Sequence, residues 1–434
     1  MTWTEAQKNA IEARDCNLLV AAAAGSGKTA VLVERIIQLV LNDSVDIDRM
    51  LIVTFTQAAA GEMRERINTT LQSQLENGPE NEQHLRRQLK LLNQASISTI
   101  HAFCTDVIRR YFHLVGIDPS FRISDSMESD LIKMETLEDL FESEYEKGNP
   151  IFLNLVESFG TSRSDQSLQE LVLRAYEFAQ CKPYPEQWLE DRASDFNLGE
   201  EDFPNCIWVK SIIEQISVQL QAAEDLFREA LQVCYRPNGP VVYADALHND
   251  IRIVEELHQT LNQGNIFDLA ANLDDIKYTR LPKVSKDVDS NLKEQAQNLR
   301  NEGKKLIGGV GSEFLFKEPS RLLQDLNELY PLMEEFCRLV IDFNNEYQKR
   351  KAEKGILDFN DLEHYALTIL SNPDAADDYR QKYQYIFVDE YQDSNEVQET
   401  LINCIKRDSN IFLVGDIKQS IYRFRLADPT LFIS

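Results

Sequence analysis

The segment Ala22-Ala-Ala-Gly-Ser-Gly-Lys-Thr29 lies between a short apolar run and a stretch whose apolar residues recur at helical spacing. It matches the pattern G-x-x-x-x-G-K-[ST], except that Ala22 stands at the first glycine. In such a loop the backbone N–H groups and a helix N-terminus face a phosphate, the lysine adds a positive charge and the hydroxyl binds Mg²⁺. The sequence therefore predicts a phosphate-binding loop. The alternative is a glycine turn that only caps a helix.

The predicted loop assigns a role to each residue type that it contains. Lys28 is predicted to act on the phosphates during catalysis, and Thr29 to bind Mg²⁺. The predicted nucleotide-binding residues of the loop are Ala22, Ala23, Ala24, Gly25, Ser26, Gly27, Lys28 and Thr29.

A second motif, Ile386-Phe-Val-Asp-Glu-Tyr-Gln-Asp393, supplies the carboxylates that a phosphate loop requires. Its apolar residues predict a strand that Asp389 and Glu390 follow directly. Asp389 is predicted to hold the water shell of Mg²⁺, and Glu390 to orient or deprotonate an attacking water. The alternative is an acidic turn after a core strand, without a catalytic role.

Short apolar runs alternate with helical patterns on both sides of the loop. Runs at residues 17–22, 50–56 and 95–100 predict strands separated by helices. Two further runs, at residues 385–389 and 410–415, predict strands that complete the same sheet. Strands and helices that alternate at this spacing form βαβ units. The predicted fold class is therefore α/β with a parallel sheet.

The sequence between the third and the fourth of these runs has a different, helical pattern. Apolar residues recur at helical spacing in segments 128–145 and 212–233, and no convincing strand or repeat is present. We therefore predict a large α-helical insertion in the α/β domain. The predicted parts are the first part of the α/β domain at 1–115, the insertion subdomain at 116–347 and the second part of the α/β domain at 348–434.

The composition indicates a cytoplasmic protein with well-formed cores. The chain has 434 residues, of which 43% are apolar and 27% charged, and its formal net charge is −27. Its apolar runs are far shorter than the ~20 residues of a membrane span, so we expect no membrane association. Seven cysteines without a C-x-x-C pair favour reduced thiols over a metal site or a disulfide framework. Residues 121–340 carry −19 of this net charge, so the acidity is concentrated in the middle of the chain. It therefore does not exclude a nucleic-acid partner for the two ends of the chain.

The two ends of the chain carry a series of motifs in a defined order. They are Thr4-Glu-Ala-Gln7, Gly25-Ser-Gly-Lys-Thr29, Thr54-Phe-Thr-Gln-Ala-Ala-Ala-Gly-Glu-Met-Arg-Glu-Arg-Ile67, Ser98-Thr-Ile-His-Ala-Phe-Cys104, Asp389-Glu-Tyr-Gln-Asp393 and Val414-Gly-Asp-Ile-Lys-Gln-Ser-Ile-Tyr-Arg-Phe-Arg425. This series resembles the successive motifs of superfamily 1 helicases of the UvrD/Rep type. The opening at Trp3, the long helical insertion and segment 355–367 are more similar to one branch, the AddA subunits of bacterial AddAB (RexAB) helicase-nucleases.

The resemblance implies a RecA-like P-loop domain with a parallel sheet, interrupted by a helical insertion subdomain, and implies ATP and Mg²⁺ as cofactors. It assigns Gln7 to the adenine edge. It assigns Gln419 to catalysis, as the residue that senses the γ-phosphate or holds the attacking water. An uncharged side chain that both donates and accepts hydrogen bonds suits a switch between ATP and ADP.

The remaining motif residues are implied to face DNA. Aromatic rings stack on bases whatever their sequence, as a translocating motor requires, and polar or basic side chains contact phosphates. The alternative for each of these residues is core packing or a solvated helix face. The residues are Phe55, Thr56, Thr99, His101, Tyr422, Arg423, Phe424 and Arg425.

The resemblance implies the N-terminal motor portion of a 3′-to-5′ DNA helicase-nuclease that processes double-strand breaks for recombinational repair. The implied partners are DNA, as a single strand and a duplex end, and an AddB/RexB-like subunit in a heterodimer. A second RecA-like domain and the nuclease domain are expected to lie outside these 434 residues. Two alternatives stay open: a UvrD/Rep-type helicase without a nuclease, and a nucleotide-gated scaffold whose acidic insertion docks proteins.

Overall fold

The computed structural model describes residues 3–23, 25–76, 82–160, 164–262, 269, 272–273, 275–314 and 319–416. The contacts divide the chain into two compact units. One consists of residues 1–189 and 338–434, and the other of residues 190–337. Among the described helices, none combines the length and the apolar character that crossing a bilayer requires.

A parallel sheet forms the centre of the first unit. The strands of the described residues are β1 Leu18–Ala21, β2 Met50–Thr54, β3 Ser96–Thr99, β4 Arg122–Ile123, β5 Ile356–Leu357, β6 Tyr385–Val388 and β7 Ile411–Gly415. Five of them form one sheet in the order β1-β7-β6-β2-β3, and every neighbouring pair is parallel. The strands predicted from the five apolar runs are therefore confirmed, and the late strands join the early ones in one sheet.

The sheet is buried on both faces, as the continuous apolar runs indicate. Alternate residues of β2 belong to different cores, because successive side chains of a strand point to opposite faces. Leu51 and Val53 pack in one core and Met50 and Ile52 in the other. The carboxyl ends of these strands therefore meet at one edge of a rigid sheet.

Helices cover the sheet, and helices build the core of the second unit. In chain order they are α1 Glu5–Glu12, α2 Lys28–Leu41, α3 Gln57–Glu76, α4 Glu82–Leu91, α5 Ile100–Val115, α6 Ser126–Lys147, α7 Pro150–Phe159, α8 Gln166–Ala179, α9 Pro185–Ser194, α10 Ile207–Cys234, α11 Ala244–Asn262, α12 Ser290–Phe314, α13 Pro319–Lys354, α14 Phe359–Leu370, α15 Pro373–Lys382 and α16 Glu396–Ile405. The helical character predicted for segments 128–145 and 212–233 is confirmed.

The second unit is built on packing between α10, α11 and α12. Its core contains Phe227, Val254 and Ile307, one from each of these helices. A buried ion pair also joins two of them, since Nη2 of Arg300 on α12 donates to Oδ1 of Asp250 on α11 at 3.0 Å. The unit therefore has a core of its own.

The expectation of no strand between residues 116 and 347 is wrong at one place. Strand β4 pairs in parallel with β5, with Arg122 opposite Ile356 and Ile123 opposite Leu357. A strand of two residues shows no alternation of apolar and polar side chains, so its pairing leaves no pattern in the sequence.

The compact units have boundaries that differ from the predicted division at residues 115 and 347. Residues 116–189 group with the sheet. One of the contacts that fasten them there is the 2.9 Å hydrogen bond between Nε2 of His364 and the carbonyl of Gln180. The three-part division of the chain stays a prediction.

Candidate functional site

The predicted phosphate loop joins the end of β1 to the start of α2. Gly25 and Gly27 have φ angles of 74° and 80°, in the region that favours glycine. Ala22 has no positive φ, and its N–H donates to the carbonyl of Gly415 at 3.1 Å, which extends the pairing of β1 with β7. An alanine at the first glycine position is therefore compatible with the loop.

Lys28 begins α2 and is buried, although the loop before it is largely exposed. Its ammonium lies 3.9 Å from Oε2 of Glu390, on the turn after β6. Thr29 follows in the first turn of the same helix. The structure thus places Lys28 against the acidic motif, on the helix that also carries Thr29.

The acidic motif forms a strained turn at the end of β6. The N–H of Asp389 still donates to the carbonyl of Val53 on β2, at 3.0 Å, so this residue is held by the sheet. Glu390 then adopts a φ of 54°, a left-handed conformation that costs a residue other than glycine about 1–3 kcal/mol. The conformation turns the Glu390 carboxylate toward Lys28.

Gln392 was given no role by the sequence analysis, although it lies within the acidic motif. Its Nε2 donates to Oε2 of Glu390 at 2.8 Å, and its Oε1 accepts from the N–H of Asp416 at 2.8 Å. The side chain is 2% exposed. Gln392 therefore holds Glu390 against the residue that follows β7.

Burial and like charge raise the pKa of two carboxyls in this turn. The pKa of Asp389 is raised to about 6, first by burial and then by Glu390. The pKa of Asp393 is raised to about 6 by the same two causes. A bound divalent cation would stabilise the ionised forms of such a group.

These residues fit a magnesium nucleotide. Mg²⁺ keeps several waters and takes one or two protein oxygens besides the phosphates. Thr29 and Asp389 offer such oxygens. Within the described ranges, no group of three or more His, Cys, Asp or Glu could hold a metal ion by itself.

Gln7 is fastened to the phosphate loop. It forms a capping box at the start of α1, since Thr4 N–H donates to Gln7 Oε1 at 2.9 Å and Gln7 N–H donates to Thr4 Oγ1 at 3.3 Å. Its Nε2 donates to the carbonyl of Ser26 at 2.9 Å. The predicted adenine-binding side chain is thus placed beside the loop.

A cleft of about 530 Å³ lies next to the acidic turn. Four of its lining residues carry rings, Phe55, His101, Phe359 and Tyr391, and we call the part lined by the first three the aromatic cleft. The same cavity is lined by Asp389 and Glu390. The rings of His101 and Phe359 have centroids 4.8 Å apart, and Phe359 is 53% exposed.

Phe359 was missed as a candidate DNA contact. The available signal was its position as the first residue of α14, after a helix cap formed by Asp358. Single exposed apolar side chains are common on protein surfaces, so it is the place of Phe359 in the lining of the cleft that makes it a candidate.

Two predicted DNA contacts use their hydroxyls at helix starts. Oγ1 of Thr56 accepts from the N–H of Ala59 at 3.1 Å, and Oγ1 of Thr99 accepts from the N–H of Ala102 at 3.3 Å. Thr99 is also buried. Several predicted residues lie outside the described residues, namely Ala24, Gln419, Tyr422, Arg423, Phe424 and Arg425.

The chain is similar to a known protein family over almost its whole length. The sequence matches the model described as UvrD/REP helicase N-terminal domain over residues 3–434. The chain belongs to the UvrD/REP helicase family. The RecA-like α/β class predicted for this helicase domain is confirmed by the family and by the parallel sheet.

Two relatives of this helicase domain carry the same name. The chain is 54% identical over 431 residues to the ATP-dependent helicase/nuclease subunit (AddA) of Alkaliphilus oremlandii, covering 99% of this chain and 36% of that protein. It is 55% identical over 431 residues to the protein of the same name from Syntrophomonas wolfei, covering 99% and 35%. The helicase domain therefore spans about a third of the length of these relatives, and its resemblance to AddA proteins is confirmed.

Proposed function

We propose that this helicase domain is the ATP-binding motor portion of a DNA helicase-nuclease that processes double-strand breaks for recombinational repair. The observation that carries the proposal is the approach of Lys28 to Glu390 at the sheet edge that also borders the aromatic cleft. ATP chemistry and DNA contact would then take place at two sides of one turn.

The phosphate loop and the acidic turn have different roles toward ATP. Lys28 and the N–H groups at the start of α2 bind phosphate oxygens, and Thr29 and Asp389 hold Mg²⁺. When bound, Mg²⁺ neutralises charge on the phosphates. Glu390 accepts the proton of the attacking water, and Gln392 keeps that carboxylate in place through its 2.8 Å hydrogen bond. Gln7 binds the adenine edge.

The aromatic cleft is proposed to hold the DNA strand. Phe55 and Phe359 offer ring faces for bases, and stacking does not depend on base identity. His101 adds a polar ring to the same lining. The 3′-to-5′ direction, the roles of Gln419 and of residues 422–425, and entry from a duplex end belong to the same proposal.

The proposal extends beyond the chain through its relatives. Their name includes a nuclease, which we assign to the part of such proteins that this chain does not cover. An AddB-like subunit is the proposed partner, and the cytoplasm, where chromosomal DNA of bacteria lies, is the proposed location.

The test is ATP turnover by the full-length protein with and without a single-stranded oligonucleotide at saturating concentration. We expect a large increase in turnover with DNA, and unwinding of a duplex with an open end. ATP binding without any stimulation by DNA would contradict the motor function and favour a nucleotide-gated scaffold.

A further inference from the structure

A single buried carboxylate joins three helices next to the aromatic cleft. Glu363 on α14 is 3% exposed and accepts three hydrogen bonds. The donors are Nε2 of His101 on α5 at 3.1 Å, Nε2 of Gln398 on α16 at 2.7 Å and Nδ2 of Asn395 at 3.3 Å. No motif in the sequence assigns a role to Glu363.

One of these bonds fixes a ring of the cleft. Because a carboxylate accepts hydrogen bonds, the contact with Glu363 makes Nε2 the N–H nitrogen of His101 and sets the plane of the ring. That ring packs against Phe359 with centroids 4.8 Å apart. Glu363 therefore determines how His101 is presented to whatever occupies the cleft.

The other bonds lead to the acidic turn. Asn395 caps α16, since its Oδ1 accepts from the N–H of Gln398 at 2.8 Å. It follows directly after the turn in which Gln392 holds Glu390. A shift of Asn395 would therefore move the segment that sets the catalytic carboxylate.

A buried charge is stable only while its hydrogen-bond donors stay in place, so the Glu363 carboxylate is sensitive to movement of the helices that it joins. Burial by itself would raise the pKa of Glu363, but the hydrogen bond and charge of His101 and the two amide donors bring it below its usual range. A buried carboxylate loses much of its compensation when one donor leaves. Displacement of His101 would therefore change the strength and the geometry of the hydrogen bonds that Glu363 accepts from Asn395 and Gln398.

We propose that Glu363 is a positioning residue that couples DNA in the aromatic cleft to ATP hydrolysis at the acidic turn. The inference rests on the proposed function, since it needs a strand in the cleft and ATP at the loop. Glu363 itself contacts neither, and it acts through His101 on one side and Asn395 on the other.

The test compares Glu363→Gln with Glu144→Gln in the full-length protein. Both replace a nearly fully buried carboxylate in the same compact unit, but Glu144 pairs with Arg338 and Lys147 instead of His101. In Glu363→Gln the amide oxygen still accepts from His101, whereas the new NH₂ group faces the donor of Asn395. We expect the ratio of DNA-stimulated to unstimulated turnover to fall about tenfold in Glu363→Gln, with KM for ATP kept within about twofold. Glu144→Gln should keep the ratio.

A second variant protects the test against a loss of folding. Asn395→Ser keeps a side chain that caps a helix but removes the NH₂ that donates to Glu363. Asn395 is only half-buried, so this variant should fold, and we expect a smaller fall of the same ratio. Normal stimulation in both Glu363→Gln and Asn395→Ser would overturn the proposal, as would an equal fall in Glu144→Gln.

The outcomes separate this inference from the proposed function. If the unmodified protein shows no stimulation by DNA, the motor function is wrong and the coupling falls with it. If the unmodified protein is stimulated and KM for ATP rises in parallel with the loss in Glu363→Gln, Glu363 supports only the nucleotide site and the coupling role is wrong.

Discussion

The ammonium of Lys28 lies 3.9 Å from Oε2 of Glu390, although the two residues come from opposite ends of the chain. The sheet order explains this approach, because β7 alone separates β1 from β6. Both residues follow a strand at its carboxyl end, where ligands of open α/β sheets bind. The lysine that would hold phosphates and the carboxylate that would activate water therefore reach the same small volume.

Replacement of Lys28 by alanine tests the phosphate loop. We expect ATP turnover by the full-length protein to fall about a hundredfold or more, because a charge directed at the phosphates is removed. Lys90→Ala, at an exposed position on α4, is the control and should keep its activity. Circular dichroism should show the same helix content in both variants. Near-normal turnover in Lys28→Ala would contradict the assignment.

Glu390→Gln separates binding of the nucleotide from its hydrolysis. The glutamine introduced there would still accept the hydrogen bond of Gln392 through its amide oxygen, and Asp389 stays available for Mg²⁺. We therefore expect Mg-ATP to bind with an affinity within about threefold of normal, while hydrolysis slows about a hundredfold or more because the base is lost. Calorimetry and single-turnover kinetics measure the two quantities. Loss of nucleotide binding would show that Glu390 holds the metal or the loop instead.

Gln7→Glu tests whether Gln7 binds the adenine edge, and it does so without loss of the helix cap. Glutamate at the third helical position retains the capping box with Thr4. It cannot donate to the carbonyl of Ser26 or to a base, so we expect ATP affinity to fall about tenfold and the preference for ATP over GTP to diminish. Lys8→Ala, on an exposed position of the same helix, should change neither. An unchanged preference would remove Gln7 from the adenine site.

The parts of the site that follow local patterns were predictable from the sequence. The loop at residues 22–29 and the turn at Asp389 each combine an apolar strand with a short run of diagnostic residue types. Parallel strands require that such strand ends share one edge, so their meeting also follows. The left-handed φ of Glu390 could not be predicted from the sequence, because no residue type in the motif requires it.

Other features depend on tertiary contacts that leave no local pattern. The bond between His101 and Glu363 joins helices α5 and α14, and a histidine or a glutamate on a helix face predicts no particular partner. The boundary of the compact units falls within α9, at residue 189, because contacts and not helix ends define it. The pairing of β4 with β5 involves too few residues to be recognised.

Phe359→Ala tests the aromatic cleft as the site of the DNA strand. The ring is 53% exposed, so its removal should change stability little, whereas a lost stacking contact weakens binding by ~1–3 kcal/mol. We expect a fivefold to hundredfold fall in affinity for a single-stranded oligonucleotide, measured by fluorescence anisotropy at constant salt. Phe159→Ala, which removes an exposed ring from α7, should bind normally. Equal affinity of the two variants would place the strand elsewhere.

Two glycines of α12 give opposite predictions for the packing of the second unit. An alanine in place of glycine within a helix usually stabilises it by about 0.5–1 kcal/mol. A Cβ at position 303 would lie 2.5 Å from Cε1 of Phe227, a fully buried ring on α10, whereas a Cβ at position 308 would meet no atom within 4 Å. Gly308→Ala should therefore raise the melting temperature, and Gly303→Ala should lower it, because overpacking of a core costs about 1–3 kcal/mol. Thermal unfolding followed by circular dichroism measures both. A Gly303→Ala variant as stable as Gly308→Ala would mean that α10 and α12 do not pack this closely at Phe227.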